Sequence, residues 1–237
     1  MKPSVVAAAV FLAGVGQAFA GDLPSPPLGA PAPPASYTPV LSPYANWSGL
    51  YIGVNGGYDF GTSNWNSTGN FSTNGGVLGG TLGVNFPYGP VIFGFEGDID
   101  WADVSGNSTV AQCKKAGATT GASCETQINS IGTARARLGY GFDRVLLFVS
   151  AGGAFGYARA GLSPPGTFDS GFVLGWAAGG GAEFALVDNW TVKAEYLFVN
   201  LGTASCTTVG NCGGTAGVSV SLTESIVRAG INYKFSW

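Results

Sequence analysis

The sequence predicts an all-β fold, an eight-stranded antiparallel barrel that crosses a membrane on short turns at one end and long loops at the other. Three observations carry this. First, the chain is apolar for its charge content: mean hydropathy is +0.26, with only 10% of its 237 residues charged. Beyond the N-terminus no run of about 18 apolar residues occurs, so a spanning helix is excluded. Second, eight segments alternate apolar and polar side chains with the period of a strand. Third, the connections between them alternate short and long, as in barrels with tight periplasmic turns and larger extracellular loops.

The elements follow in order. Residues 1–20 read as a secretory signal: Lys2 is the positive end, VVAAAVFLAGVG the apolar core, and Ala18-Phe19-Ala20 the small-x-small cleavage site. Residues 21–46, GDLPSPPLGAPAPPASYTPVLSPYAN, are dense in proline and read as an extended periplasmic linker. From Trp47 the composition turns to glycine, aromatics and alternation, which assigns 47–237 to the barrel. The first strand sets Leu50, Ile52, Val54, Tyr58 and Phe60 against Tyr51, Asn55 and Asp59; the second sets Leu78, Leu82, Val84 and Phe86 against Thr81 and Asn85. In VIFGFEGDIDW, the aromatic and aliphatic Val91, Phe93, Phe95, Ile99 and Trp101 oppose Glu96, Asp98 and Asp100. The fourth strand opposes Ile128, Ala134, Ala136, Leu138 and Tyr140 to Asn129, Thr133, Arg135 and Arg137. The fifth, RVLLFVSAGGAFGYA, is apolar on both sides and its facing stays open. Phe172, Leu174, Trp176 and Phe184 oppose Glu183; Val192, Ala194, Tyr196 and Phe198 oppose Lys193 and Glu195; Val227 to Trp237 by twos oppose Arg228, Asn232 and Lys234. The long loops are expected at 62–74, 104–126, 160–170 and 202–218.

One face is continuous and aromatic; the other is small, charged and rich in glycine. An aromatic exterior is tolerable in lipid, with Trp101, Tyr140, Trp190 and Trp237 near strand ends as interfacial girdles. The charged face is therefore the lumen, where an unpaired charge is costly. Both signs are available. With Val91 opposite Tyr140, Glu96 falls near Arg135, with Arg137 one pleat below; Glu183 falls beside Lys193 and Glu195; Arg228 and Lys234 face Asp59. With Asp98 and Asp100, these make eleven side chains that are expected to form an ion-pair network that plugs the lumen. The same charges lining a water-filled path is the alternative.

Chemistry beyond this is sparse. Without the leader, the chain has neither His nor Met. A catalytic base near neutral pH is thus missing, and a narrow barrel offers no cleft between paired carboxylates, so an enzyme is not expected. No cofactor or metal is expected either, though haem stacked on loop aromatics such as Trp65 and Phe71, or held by Tyr, stays open. The net charge of -3 argues against nucleic acid. Cys113 with Cys124, and Cys206 with Cys212, fall within single long loops, where an oxidising compartment favours two loop-local disulfides.

The segments NWSGLYIGVNGGYDFG, ARARLGYGFDRVLLFVSAGGAFG, GWAAGGGAEFALVDNWTVKAEYLFVNLG and VRAGINYKFSW resemble the small outer-membrane barrels of alphaproteobacteria. That group includes the major surface proteins of brucellae and the haemin-binding proteins of bartonellae. More distantly, the chain is similar to the transmembrane domain of outer membrane protein A. The resemblance implies an eight-stranded barrel in a Gram-negative outer membrane with both termini periplasmic. It implies roles in envelope integrity and surface exposure, with porin or haemin-binding activity in some relatives. Implied partners are outer-membrane lipid and lipopolysaccharide, and the barrel insertion machinery, which would read a terminal signal at Ile231, Tyr233, Phe235 and Trp237.

Overall fold

The computed structural model describes residues 47–66, 69–110, 113, 121–163, 167–187, 189–206 and 218–235. Eight strands form one closed antiparallel ring: β1 (Gly49–Trp65), β2 (Gly69–Tyr88), β3 (Val91–Asn107), β4 (Ser123–Phe142), β5 (Val145–Ser163), β6 (Thr167–Ala185), β7 (Trp190–Cys206) and β8 (Val218–Phe235). The ring closes between first and last strands, in register from Leu50 opposite Phe235 to Trp65 opposite Val220. Every strand therefore has two neighbours, and no edge is left with unpaired backbone groups in lipid. The residues read as signal and linker lie outside the described residues, as do Cys212, Trp237 and the side chain of Cys206.

The connections at one end are tight. Tyr88 pairs with Val91 around Gly89-Pro90, and Phe142 with Val145 around Asp143-Arg144. Gly89 (φ 62°) and Asp143 (φ 51°) supply the left-handed backbone that short hairpins require.

At the other end the strands run much further than their hydrophobic pattern suggested. Thr62–Asn74, read as loop, is almost entirely β1 and β2, and β3 and β4 extend to Asn107 and from Ser123. The polar residues there still alternate and pair; what stops at Phe60 or Trp101 is the lipid, not the sheet. Seventeen residues at roughly 3.3 Å each, tilted by about 40°, rise about 40 Å, against an apolar band of about 25 Å. The upper barrel thus stands clear of the bilayer. Outward positions mark the boundary: Val54, Tyr58 and Phe60 give way to Thr62 and Asn64 on β1, and Ile231 and Val227 to Ser225, Thr223 and Ser221 on β8. Tyr58 donates to Asn74 Oδ1 (3.1 Å), and the Tyr196 and Ser225 hydroxyls lie 3.1 Å apart, so tyrosines straddle this line. Trp101, 74% exposed, sits on it in mid-strand rather than at a strand end.

Two facings needed the structure. β5 turns Leu147, Val149 and Tyr157 to lipid and Leu146, Phe148 and Ser150 inward. On β4 a bulge between Ile128 and Ser130 reverses the alternation. Ile128, read as lipid-facing, is buried inside and Asn129 is exposed, because one extra residue flips every side chain beyond it.

Cys113 and Cys124 are disulfide-bonded, closing the segment that leads from β3 into β4. Peptide mapping of the unreduced protein is expected to recover Cys113 linked to Cys124 and Cys206 linked to Cys212; crossed linkages or free thiols would contradict the local pairing.

Candidate functional site

The inward side chains fill the lumen in three layers. The lowest, at the turn end, is apolar: Trp47, Ile92 and Leu146 are fully buried together. Trp47 leads into β1 but folds into the barrel mouth, where its indole N–H donates to the Asp143 carbonyl (3.2 Å). The Lys234 ammonium lies 4.7 Å from the centre of its ring, a cation–π contact.

The middle layer is ionic. Arg135 on β4 is in register with Glu96 on β3. Its Nη2 donates to Glu96 Oε1 (2.7 Å) and Asp98 Oδ2 (2.8 Å), and its Nη1 to Ser150 Oγ (2.7 Å) and to Glu195 across the lumen. Arg137, one pleat lower, donates to Glu183 Oε2 (2.5 Å) and to the Tyr51 hydroxyl (3.1 Å), with its guanidinium 3.9 Å from the Phe148 ring centre. Lys193 Nζ holds both Glu96 oxygens at 2.8–2.9 Å. From β8, Arg228 reaches Asp98 Oδ1 (2.8 Å), Asp100 Oδ2 (2.9 Å) and Glu195 Oε2 (2.8 Å). Neutral donors add to these: Tyr51 to Glu96 (2.7 Å), Thr133 to Asp98 (2.5 Å), Thr191 and Asn232 to Glu183 (2.5 and 3.2 Å). Glycine makes room for this filling, since a Cβ on Gly83 would overlap the Tyr51 ring.

The upper layer is apolar again. Val104, Ile128, Leu162, Leu197, Val199, Leu201, Val220, Leu222 and Ile226 form one buried cluster with the Cys113–Cys124 bridge. Trp65 and Phe71 belong to it. They are not loop aromatics open to a stacked ligand: Trp65 is 1% exposed, and its indole N–H is shared between Ser63 Oγ (3.2 Å) and Thr126 Oγ1 (3.1 Å). Both sit at even spacing on extended strands, a pattern hidden by the assumption that the region was loop.

All eleven charged residues singled out in the sequence are buried in the lumen. Their partners differ in two places. Glu183 is in register with Lys193, yet its ion pair is with Arg137, because long side chains cross the lumen rather than follow the ladder. Asp59 does not meet Arg228 or Lys234. Its neighbour is Glu224, a buried carboxylate not singled out in the sequence, although its place between Leu222 and Ile226 on alternating β8 positions could have flagged it. Among the described residues no group of three or more His, Cys, Asp or Glu is placed to hold a metal.

Comparison with known proteins settles the class. The family model for the outer membrane protein beta-barrel domain matches residues 28–235. The chain belongs to that family. It is 30% identical to a 31 kDa outer-membrane immunogenic protein of Brucella melitensis, over 98% of this chain and 99% of that one. It is 29% identical to a 25 kDa outer-membrane immunogenic protein of Brucella abortus, over 99% of both. A 22 kDa outer membrane protein of Rhizobium leguminosarum is 26% identical over 68% of this chain and 67% of its own. This is an outer-membrane barrel of a Gram-negative bacterium, set among lipids, with alphaproteobacterial relatives named as outer-membrane proteins rather than enzymes.

Removing one member of a buried ion pair leaves its partners charged and alone, at a cost of about 3–5 kcal/mol. Arg135→Ala, which leaves Glu96, Asp98 and Glu195 only Lys193, Arg137 and Arg228 to share, is expected to lower the unfolding free energy of the refolded barrel in detergent by about that much. Unchanged resistance to urea and heat would contradict the network.

Proposed function

We propose that this protein is a structural, surface-exposed component of the outer membrane that does not conduct: it binds the lipid layer together from within and displays its loop end to the exterior. One observation carries this reading, the filling of the lumen by an apolar floor, an ion-pair layer and an apolar roof. A solute passing through would have to displace Trp47, separate Arg135, Arg137 and Arg228 from their carboxylates, and part the cluster around Trp65 and Leu222. The word immunogenic in the names of the Brucella relatives accords with surface display.

In this reading residues 1–20 direct export, 21–46 form a periplasmic lead, and 47–237 the barrel. The insertion machinery reads the terminal strand, where Ile231 and Phe235 face lipid and Tyr233 packs between Trp190 and Phe235. The lipid-facing belt meets lipopolysaccharide where it turns polar. The absence of histidine from the chain argues against a hydrolytic role.

Planar-bilayer recording separates this from a narrow porin. The wild type is expected to be silent, with openings appearing in Trp47→Ala and Arg135→Ala. Steady wild-type conductance, with ion preference altered by Glu96→Gln, would make the same residues a pore lining.

A further inference from the structure

The buried charges do not cancel. Among the described residues seven carboxylates and five cations are buried in the lumen. Glu96, Asp98, Asp100, Glu183 and Glu195 match Arg135, Arg137, Lys193, Arg228 and Lys234 in number, and the first four of those cations bind them directly. Asp59 and Glu224 are left over. Both are 0% exposed, and among the described residues neither has an ion pair.

Their setting is specific. Glu224 on β8 is in register with Gly61, two residues along β1 from Asp59, so the two carboxyls are diagonal neighbours across the seam where the barrel closes. Glu224 lies over Gly61, where a Cβ would overlap its Oε2, and so reaches past β1 to accept from Thr73 Oγ1 on β2 (3.0 and 3.2 Å). Neither Asp59 oxygen has a hydrogen-bond donor of good geometry; its polar neighbours are the Glu224 carboxyl and the Ser225 backbone. The groups on every side are neutral or engaged. β2 offers Thr73 and Val77, β3 Val104 and Ala102 above Asp100, and β4 Thr126 and Ile128. β5 and β6 offer Ala154, Ala158 and Val173, and β7 Val199 and Leu197 above Glu195. Arg228, the nearest cation along β8, has its guanidinium taken by Asp98, Asp100 and Glu195.

Two neighbouring carboxylates in an apolar surround cannot both stay ionised, and buried acceptors find donors. A single proton on either carboxyl answers both demands: it removes one charge and supplies the missing O–H donor. We propose that Asp59 and Glu224 hold a proton between them and act as a pH-sensitive latch across the β1–β8 seam. Protonated, the pair ties β8 to β1 and, through Thr73, to β2. Doubly ionised at alkaline pH, it drives the seam apart at the level where the lipid ends. The sign follows from linkage. The folded barrel keeps a proton that the unfolded chain releases in the ordinary carboxyl range, so stability falls as pH rises from there until the pair ionises. The inference holds whether or not the lumen conducts.

Infrared spectroscopy of the refolded full barrel in D2O at neutral pH tests it. The wild type is expected to show the carbonyl stretch of a protonated carboxylic acid, lost in Asp59→Asn/Glu224→Gln and kept in the exposed control Asp103→Asn. Should the double variant not fold, the wild-type band is expected to disappear on raising the pH, together with a fall in unfolding midpoint that Glu224→Gln alone flattens. A wild type without the band, including one stabilised instead by added calcium, overturns the proposal, as does a band that survives the double variant.

Discussion

Everything inside this barrel follows from one constraint: a charge taken out of water must be neutralised where it lies. An unpaired buried ion costs several kcal/mol, and every lumen charge is at most 4% exposed. Among the described residues twelve acidic and basic side chains are buried there, and the fold arranges them so that each guanidinium reaches two or three carboxylates across the ring. These links join strands that are not neighbours in the sheet. β8 is tied to β3 through Arg228, and β4 to β7 through Arg135 and Glu195. The backbone ladder closes the ring; the ion pairs brace it across its diameter.

The outside obeys the opposite rule. Lipid removes any reason to hide Phe95, Ile99 or Leu174, and exposes them at 64–68%. Where the lipid ends, the exterior turns polar and the interior apolar, so above Tyr58 the barrel changes into an ordinary water-soluble one with a greasy core. The inversion of inside and outside along one set of strands is why an apolar roof, rather than more ion pairs, caps the lumen. Asp59 and Glu224 sit where the two regimes meet.

The sequence made the ring legible because period-two alternation survives any tertiary context, and the Val91–Tyr140 register, once guessed from turn position, put Glu96 beside Arg135. It misjudged three things for three physical reasons. Strand ends were placed where the hydrophobicity stopped, although pairing needs only backbone. Ile128 was assigned to the wrong face because a bulge leaves no compositional mark. The true partners of Glu183 and Asp59 were hidden because long side chains choose contacts across the lumen, which no ladder predicts. Trp47 shows a further limit: a lone tryptophan before the first strand carries no signal that it turns inward as a floor.

The account stands or falls on whether the lumen pairs are energetically coupled rather than merely adjacent. A double-mutant cycle on Arg137 and Glu183, unfolding the refolded barrel with Arg137→Met, Glu183→Gln and both together, measures this directly. If each charge exists to neutralise the other, the double variant will be no less stable than the worse single one, with a coupling energy of about 2 kcal/mol or more. Additive losses would mean that the two charges are held by the barrel independently, and that neutralisation is not what organises its interior.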